Sequence, residues 1–429
     1  MNNDVFSRRQ FMKFSAVAGA TAALAACAPA ATTSTTAPAA TEGGEAAAPA
    51  AEAVAIAWWD YMTAANGAAL DTQMAKYMDE TPSVTIERTS IPFADLKQKL
   101  LQGAAAGQLP DVVIIDNPDH SSFAALGVFA DLTDLVRDWG QASSYFEGPW
   151  DSTVYQGKNY GIPDNSNCLV LWYNNTMTQA AGVQPPANWD DLQAACATLT
   201  EGETFGIAMS GVKSEEGTFQ WLPFLWMTGE DLPTLDSDGG RAALGLWVDL
   251  VDQGYMSPGI LNWNQADVKG QFENDLAAMM VNGPWQIPVL KEEVPDMDWN
   301  VSTLPVQKQG ASILGGENTA IVGTTEVLEP AWTLLTWRQE PENLKAYLVE
   351  AGKLPSNATM AEDPTWTSDP VLAVFMEQLA VAKPRNYGPN YPEISNAVQE
   401  MLQAAISGQK TVDAALADAQ AKITPLLPE

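Results

Sequence analysis

Two α/β lobes in series are what this 429-residue sequence predicts, and three observations carry the prediction. Short apolar runs alternate with amphipathic helical segments, the pattern of sheets covered by helices. The alternation restarts after residue 160. No Pro/Gly-rich linker separates the halves, so the chain is expected to cross between lobes by strands or short segments. Two lobes with a cleft between them place a ligand at their interface.

The elements follow in order. AVAIAWWD (53–60) is a short apolar run ending in a polar turn and reads as a buried first strand. A helix over 67–80 places Leu70, Met74, Tyr77 and Met78 on one face. VTIERTSI (84–91) is the next strand, FADLKQKLLQGAAAG a helix closed by Gly107, and DVVIID (111–116) a third strand. Apolar strands separated by helices argue for a parallel sheet. In the second half, NCLVLWYNN (167–175), FGIAMSG (205–211) and LAAMMVNGPW (276–285) read as strands. NWDDLQAACATL (188–199) is a helix with Asn188 as its N-cap. RAALGLWVDLVDQG (241–254) is a helix stopped by Gly254, with Leu244, Trp247, Val248 and Val251 inward. Pro341 suits a first helical turn, and 411–423 carries one apolar stripe.

The chain begins with a leader. SRRQFMKFSAVAGATAALAAC (7–27) joins basic residues to an apolar run too short for a membrane span, which needs about 20 apolar residues. Its Ser7-to-Lys13 part resembles the twin-arginine export motif, and Leu24-Ala25-Ala26-Cys27 resembles a lipobox. Residues 1–26 are thus expected to be a signal peptide and Cys27 the site of lipidation. Residues 28–52 hold only small residues, Pro and Glu, and are expected to form a flexible tether. The leader has three basic residues and one acidic one, so its removal takes the net charge from −32 to −34. Such a charge repels nucleic acid and anionic lipid headgroups.

One histidine, His120, leaves little material for His-based zinc sites or Ser-His-Asp triads. HExxH, CxxC, GxSxG, GxGxxG and GxxxxGK[ST] patterns are absent. His120 in DNPDHSS reads as a surface turn residue, and Asp236-Ser237-Asp238-Gly239-Gly240 as an acidic turn rather than a calcium loop. Cys168 in an apolar run and Cys196 on an apolar helix face are expected to be free thiols. The tryptophans are the positive signal. Trp189, Trp247, Trp332 and Trp337 lie at helical spacing beside Leu and Val and suit a core. Trp59, Trp221, Trp226, Trp263 and Trp285 fall where strands stop and turns begin. Aromatic faces there suit stacking on sugar rings, and each position also fits a core.

Taken together, the residues resemble the extracellular solute-binding proteins of carbohydrate type, the maltose-binding protein superfamily that serves ABC importers. The matches run in order from AIAWWD through GQLPDVVIIDN, ALGVFADLTDLV, NYGIPDNSNCLVLWYNN and FENDLAAMMVNGPW to GGENTAI. Asn274-Asp275 departs from the family's usual Gly-Lys. The resemblance implies a periplasmic-binding-protein-like α/β fold of type II, two lobes closing by a hinge over the ligand. It implies crossovers near 162–166, 313–316 and 355–357. The first lobe is then 53–163 plus 314–355, and the second 164–313 plus 356–429. The ligand positions it implies are Trp59, Asp60, Tyr61 and Asn117 from the first lobe, with Asp116 and His120 less firmly matched. From the second come Gln220, Trp221, Trp263 and Trp285. Gly316, Glu317 and Asn318 come from the return segment, and Arg385 and Tyr387 from the late loop.

The function so implied is a lipid-anchored, monomeric binding subunit at the outer face of the cytoplasmic membrane. It captures a sugar or oligosaccharide and delivers it to ABC permease transmembrane subunits, with no catalytic step, cofactor or metal. A polyamine or other cationic solute is the alternative motivated by the acidic chain and by Asp60, Asp116 and Glu317. A glycoside hydrolase or lyase with two cleft carboxylates is the enzyme alternative.

Overall fold

The computed structural model describes residues 53–428. The leader, Cys27 and the tether lie outside the described residues.

The first lobe is built on a five-stranded sheet in the order Val84–Ser90, Val54–Asp60, Val112–Asp116, Glu317–Ile321, Ile162–Pro163. The first three run parallel, and the central Val112–Asp116 strand is buried along its whole length. The last two are antiparallel to their neighbours, with Glu317 opposite Asp116. The sheet is therefore mixed, not parallel throughout. The reason is topological: parallel strands end at the cleft edge with Asp60 and Asp116, whereas Glu317–Ile321 enters from that edge and so runs the other way. Ile56 and Trp58 face one core, with Val112, Ile114 and Leu334. The other face carries Val113, Ile115 and Phe123, with Trp59 packed against them.

The second lobe holds a four-stranded sheet in the order Trp299–Ser302, Val170–Asn174, Ala277–Asn282, Phe205–Ala208. Only its Phe205–Ala208 and Ala277–Asn282 pair is parallel. Cys168 packs on one face with Trp172 and Phe375, and Cys196 on the other with Leu192 and Ile207. The two thiols are free and buried. The helices carry the expected signals. The Asn188 side chain accepts the Asp191 N–H at 2.9 Å, and Gly107 closes the Phe93–Ala106 helix with φ +65°. Asp238 opens a helix capped by Ser237 instead of sitting in a turn.

Three segments cross side by side between the sheets. Asn167 and Gly315 exchange backbone hydrogen bonds at 3.0 and 2.9 Å, and Ser166 and Leu354 do so at 2.8 and 2.9 Å. Gly316 adopts φ +142°, and a Cβ there would lie 2.2 Å from the Asn165 carbonyl oxygen, so only glycine fits. Arg338 anchors the first crossing with a buried ion pair to Asp164 at 2.7 Å. One boundary differs from the sequence reading. Residues 356–368 belong with the first lobe, since Trp366 is fully buried in the core around Ile56 and Leu334. Second-lobe packing resumes with Val371 and Phe375.

Candidate functional site

A cavity of about 830 Å³ opens between the two sheets, where the first lobe's parallel strands end. Six of the expected residues meet in its wall: Tyr61, Asp116, Trp285, Gly316, Glu317 and Arg385. Tyr61 follows the first strand, and its hydroxyl donates to Glu317 Oε1 at 3.1 Å. Burial, then the Glu317 and Asp116 charges, push the Tyr61 phenol well above its ordinary value. Its ring meets Phe93 edge-on, with centroids 4.9 Å apart. Trp285 follows the Ala277–Asn282 strand in NGPW. Its ring lies on Gly283, where a Cβ would come within 1.9 Å of it, and 6.3 Å from Phe219.

Arg385 joins the lobes. It donates to both carboxylate oxygens of Asp116 at 3.0 and 3.1 Å, to Asn117 Oδ1 at 3.1 Å, and to Glu215. Burial, and the nearby Glu215 and Asp119 charges, push Asp116 up to about 7 although Arg385 pulls it down. Glu215 also accepts from the Tyr391 and Ser395 hydroxyls. Asn66 adds a second tie between lobes, donating to the Trp285 carbonyl at 3.2 Å.

The structure takes the other expected residues out of the cavity wall. Asp60 is fully buried in an ion pair with Arg88 at 2.7 Å, because alternate strand positions face opposite ways. Trp59 packs on the cluster around Val113 and Phe123 beneath Lys99, whose ammonium is 4.8 Å from the ring centre. Asn117 and Asn318 are buried behind the wall, Asn117 under Arg385 and Asn318 bonded to Ser152. Gln220 accepts the Ser210 N–H and donates to the Val281 carbonyl, and Trp221 is wholly inside the second-lobe core. Trp263 covers Gly259 and packs on the cluster around Phe272, although its neighbours Asn262 and Asn264 do line the cavity. Tyr387 bonds Asp231 and stacks on Tyr391. His120 is no surface turn: it is fully buried in the Asn117–Ala125 helix beside Phe129, and burial lowers its pKa to about 3.

Sequence reasoning missed Lys353, Glu215 and Phe219, which all line the cavity. Glu215 and Phe219 are four apart on the helix that Ser214 caps, hence on one face, while Gln220 and Trp221 point elsewhere. That spacing was the available signal. Lys353 had none, since it sits in a short crossing with no periodicity.

The bacterial extracellular solute-binding protein family model matches residues 72–374, and the twin-arginine translocation pathway signal model matches residues 5–25. A binding protein of Brucella abortus (strain 2308) is 27% identical over 361 residues, 81% of this chain and 87% of that one. A maltotriose-binding protein of Pyrococcus abyssi is 24% identical over 357 residues, 79% of this chain and 74% of that one. Among solved structures, an ABC transporter solute-binding protein of Thermotoga lettingae bound with alpha-D-tagatose superposes with a TM-score of 0.82. It is 24% identical, and the match covers 87% of this chain and 100% of that one. The family is one of binding proteins rather than enzymes, and its signal directs export. By the extent of the family match, this chain belongs to the bacterial extracellular solute-binding proteins.

Proposed function

We propose that the chain is the sugar- or oligosaccharide-capturing subunit of an ABC importer. The observation that carries this reading is the wall of the interlobe cavity. Aromatic faces of Tyr61, Phe93, Phe219 and Trp285 lie among paired charged groups there. Aromatic faces suit the C–H faces of sugar rings, and paired carboxylates and cations suit hydroxyls that both donate and accept. The Pyrococcus maltotriose-binding relative and the tagatose-bound Thermotoga structure support the same class. Because both lobes line the cavity, a ligand touching both favours the closed arrangement, and closure is the signal offered to the permease. Cys27 is the anchoring point: lipidated there, the monomer stays within a tether's reach of the membrane.

A thermal-shift screen tests the reading. Binding raises the melting temperature by mass action, so one or more neutral saccharides at millimolar concentration should raise it. Spermidine and putrescine should leave it unchanged. A shift with polyamines alone would overturn the proposal.

A further inference from the structure

Glu317 and Lys353 form a buried ion pair in the cavity wall, N to O 3.0 Å, each side chain 5% exposed. Glu317 Oε1 takes two donors, Lys353 Nζ at 3.0 Å and the Tyr61 hydroxyl at 3.1 Å. The other oxygen, Oε2, is buried and has no partner among the described residues. An orphaned carboxylate oxygen is costly unless a donor reaches it. Lys353 spends one of its three N–H groups on Glu317, and its ammonium lies 5.6 Å from the centre of the Trp285 ring. A spare acceptor and a spare donor therefore sit side by side next to an aromatic face.

The other charges of the wall, Glu216 apart, are compensated within the protein. Arg385 serves Asp116 and Glu215, Lys269 serves Glu273 and Glu293, and Lys213 serves Glu400. Glu216 has no basic partner among the described residues, and burial pushes its pKa up to about 7, towards the neutral form. A ligand carboxylate reaching Arg385 would have to displace Asp116 or Glu215 and leave that carboxylate buried without its cation.

We propose that the Glu317–Lys353 pair is the specificity centre of the cavity and accepts a vicinal diol of an uncharged sugar. One hydroxyl donates to Glu317 Oε2, its neighbour accepts from Lys353 Nζ, and the ring face lies against Trp285. A carboxylate in place of the hydroxyl at Glu317 Oε2, or an ammonium in place of the one at Lys353 Nζ, meets a like charge and loses its hydrogen bond, so both are refused at those positions. This rests on the saccharide reading and narrows it to neutral sugars.

Calorimetry tests it on the neutral saccharide with the largest thermal shift. That ligand is compared with its monodeoxy derivatives, its uronic acid analogue and its amino analogue. Wild-type protein is set against Glu317→Gln, Lys353→Met and the doubly substituted chain. Removing one hydroxyl of the recognised diol should weaken wild-type binding by about tenfold or more, the loss of a hydrogen bond to a charged group. The double variant should not register that loss, a difference that a merely structural role would not produce. It buries no lone charge, so it should fold even where a single variant does not, and wild-type discrimination is measured regardless. Acidic or amino analogues binding wild type as well as the neutral sugar would overturn the inference. So would an equal deoxy penalty in wild type and double variant. In either case the saccharide reading would stand. Binding of spermidine and no saccharide would overturn both.

Discussion

Arg385 grips Asp116 across the cleft with two hydrogen bonds, 3.0 and 3.1 Å, while its guanidinium carbon lies 4.7 Å from the centre of the Phe219 ring. Asp116 ends a first-lobe strand and Phe219 belongs to a second-lobe helix, so Arg385, like Asn66, ties the lobes. Removing it leaves Asp116 and Glu215 buried and unpaired. We expect Arg385→Gln to lower the unfolding free energy by about 3–5 kcal/mol, the usual loss when one partner of a buried pair is deleted. Urea unfolding measures it, and adding Glu215→Gln should recover part of the loss.

The same cluster sets a pH dependence. Among the described residues, Asp116, Asp119 and Glu215 face only Arg385 and Lys97 in their ion pairs, a net charge of −1. Asp116 is raised from 3.8 to about 7 by burial above all. The folded state therefore holds a proton that the unfolded state has released between these values. Stability from this group is full below pH 3.8 and is lost as pH rises through about 7. Melting temperature should fall between about pH 5 and pH 7, the upper part of that window, and level off above it. Asp116→Asn should flatten the slope, which melting curves across this range will show.

Trp285 supplies the broadest aromatic face of the cavity wall. Trp285→Ala should cost at least about 2 kcal/mol of binding, roughly thirtyfold in affinity, as truncating a buried aromatic anchor does. Gly283→Ala should weaken binding too, because the new methyl displaces the indole. Titration of both variants with the bound saccharide checks the pair.

Trp221 provides the contrast. It is fully buried in the second-lobe core and does not line the cavity. Trp221→Ala should cost about 3–5 kcal/mol of stability. Trp221→Phe should bind ligand as wild type does, read by urea unfolding and calorimetry on the same samples.

Cys168 and Cys196 lie on opposite faces of one sheet, and burial raises both thiols well above their ordinary value. A thiol reagent at neutral pH should leave both unmodified in the folded protein and label both in denaturant. A reductant should not alter the melting temperature.

Much of this architecture was legible in the sequence because burial leaves a local trace. AVAIAWWD and DVVIID are strands since both their faces are covered, and Asn188 or Gly107 marks a helix end by its own chemistry. The return strand was legible as a segment, but its direction was not, because that depends on which edge the chain re-enters. The site was legible to a similar depth. Tyr61, Trp285 and Glu317 stand at strand ends, where the chain turns into the cleft. Asp60 stands beside Tyr61, yet one residue of strand moves its side chain to the other face, and Trp59 is covered by Lys99, so neither lines the cavity. Trp221 and Gln220 share a helix with Phe219, and only the 100° step between neighbours separates wall from core. Arg385 meets Asp116 across 269 residues, a contact to which no local pattern points.

The central claim is that the interlobe cavity holds a neutral saccharide, and calorimetry on the purified protein tests it most directly. The account predicts saturable one-to-one heat with a neutral saccharide, much weakened in Trp285→Ala, and none with spermidine. Saturable heat with spermidine and none with any saccharide would contradict it.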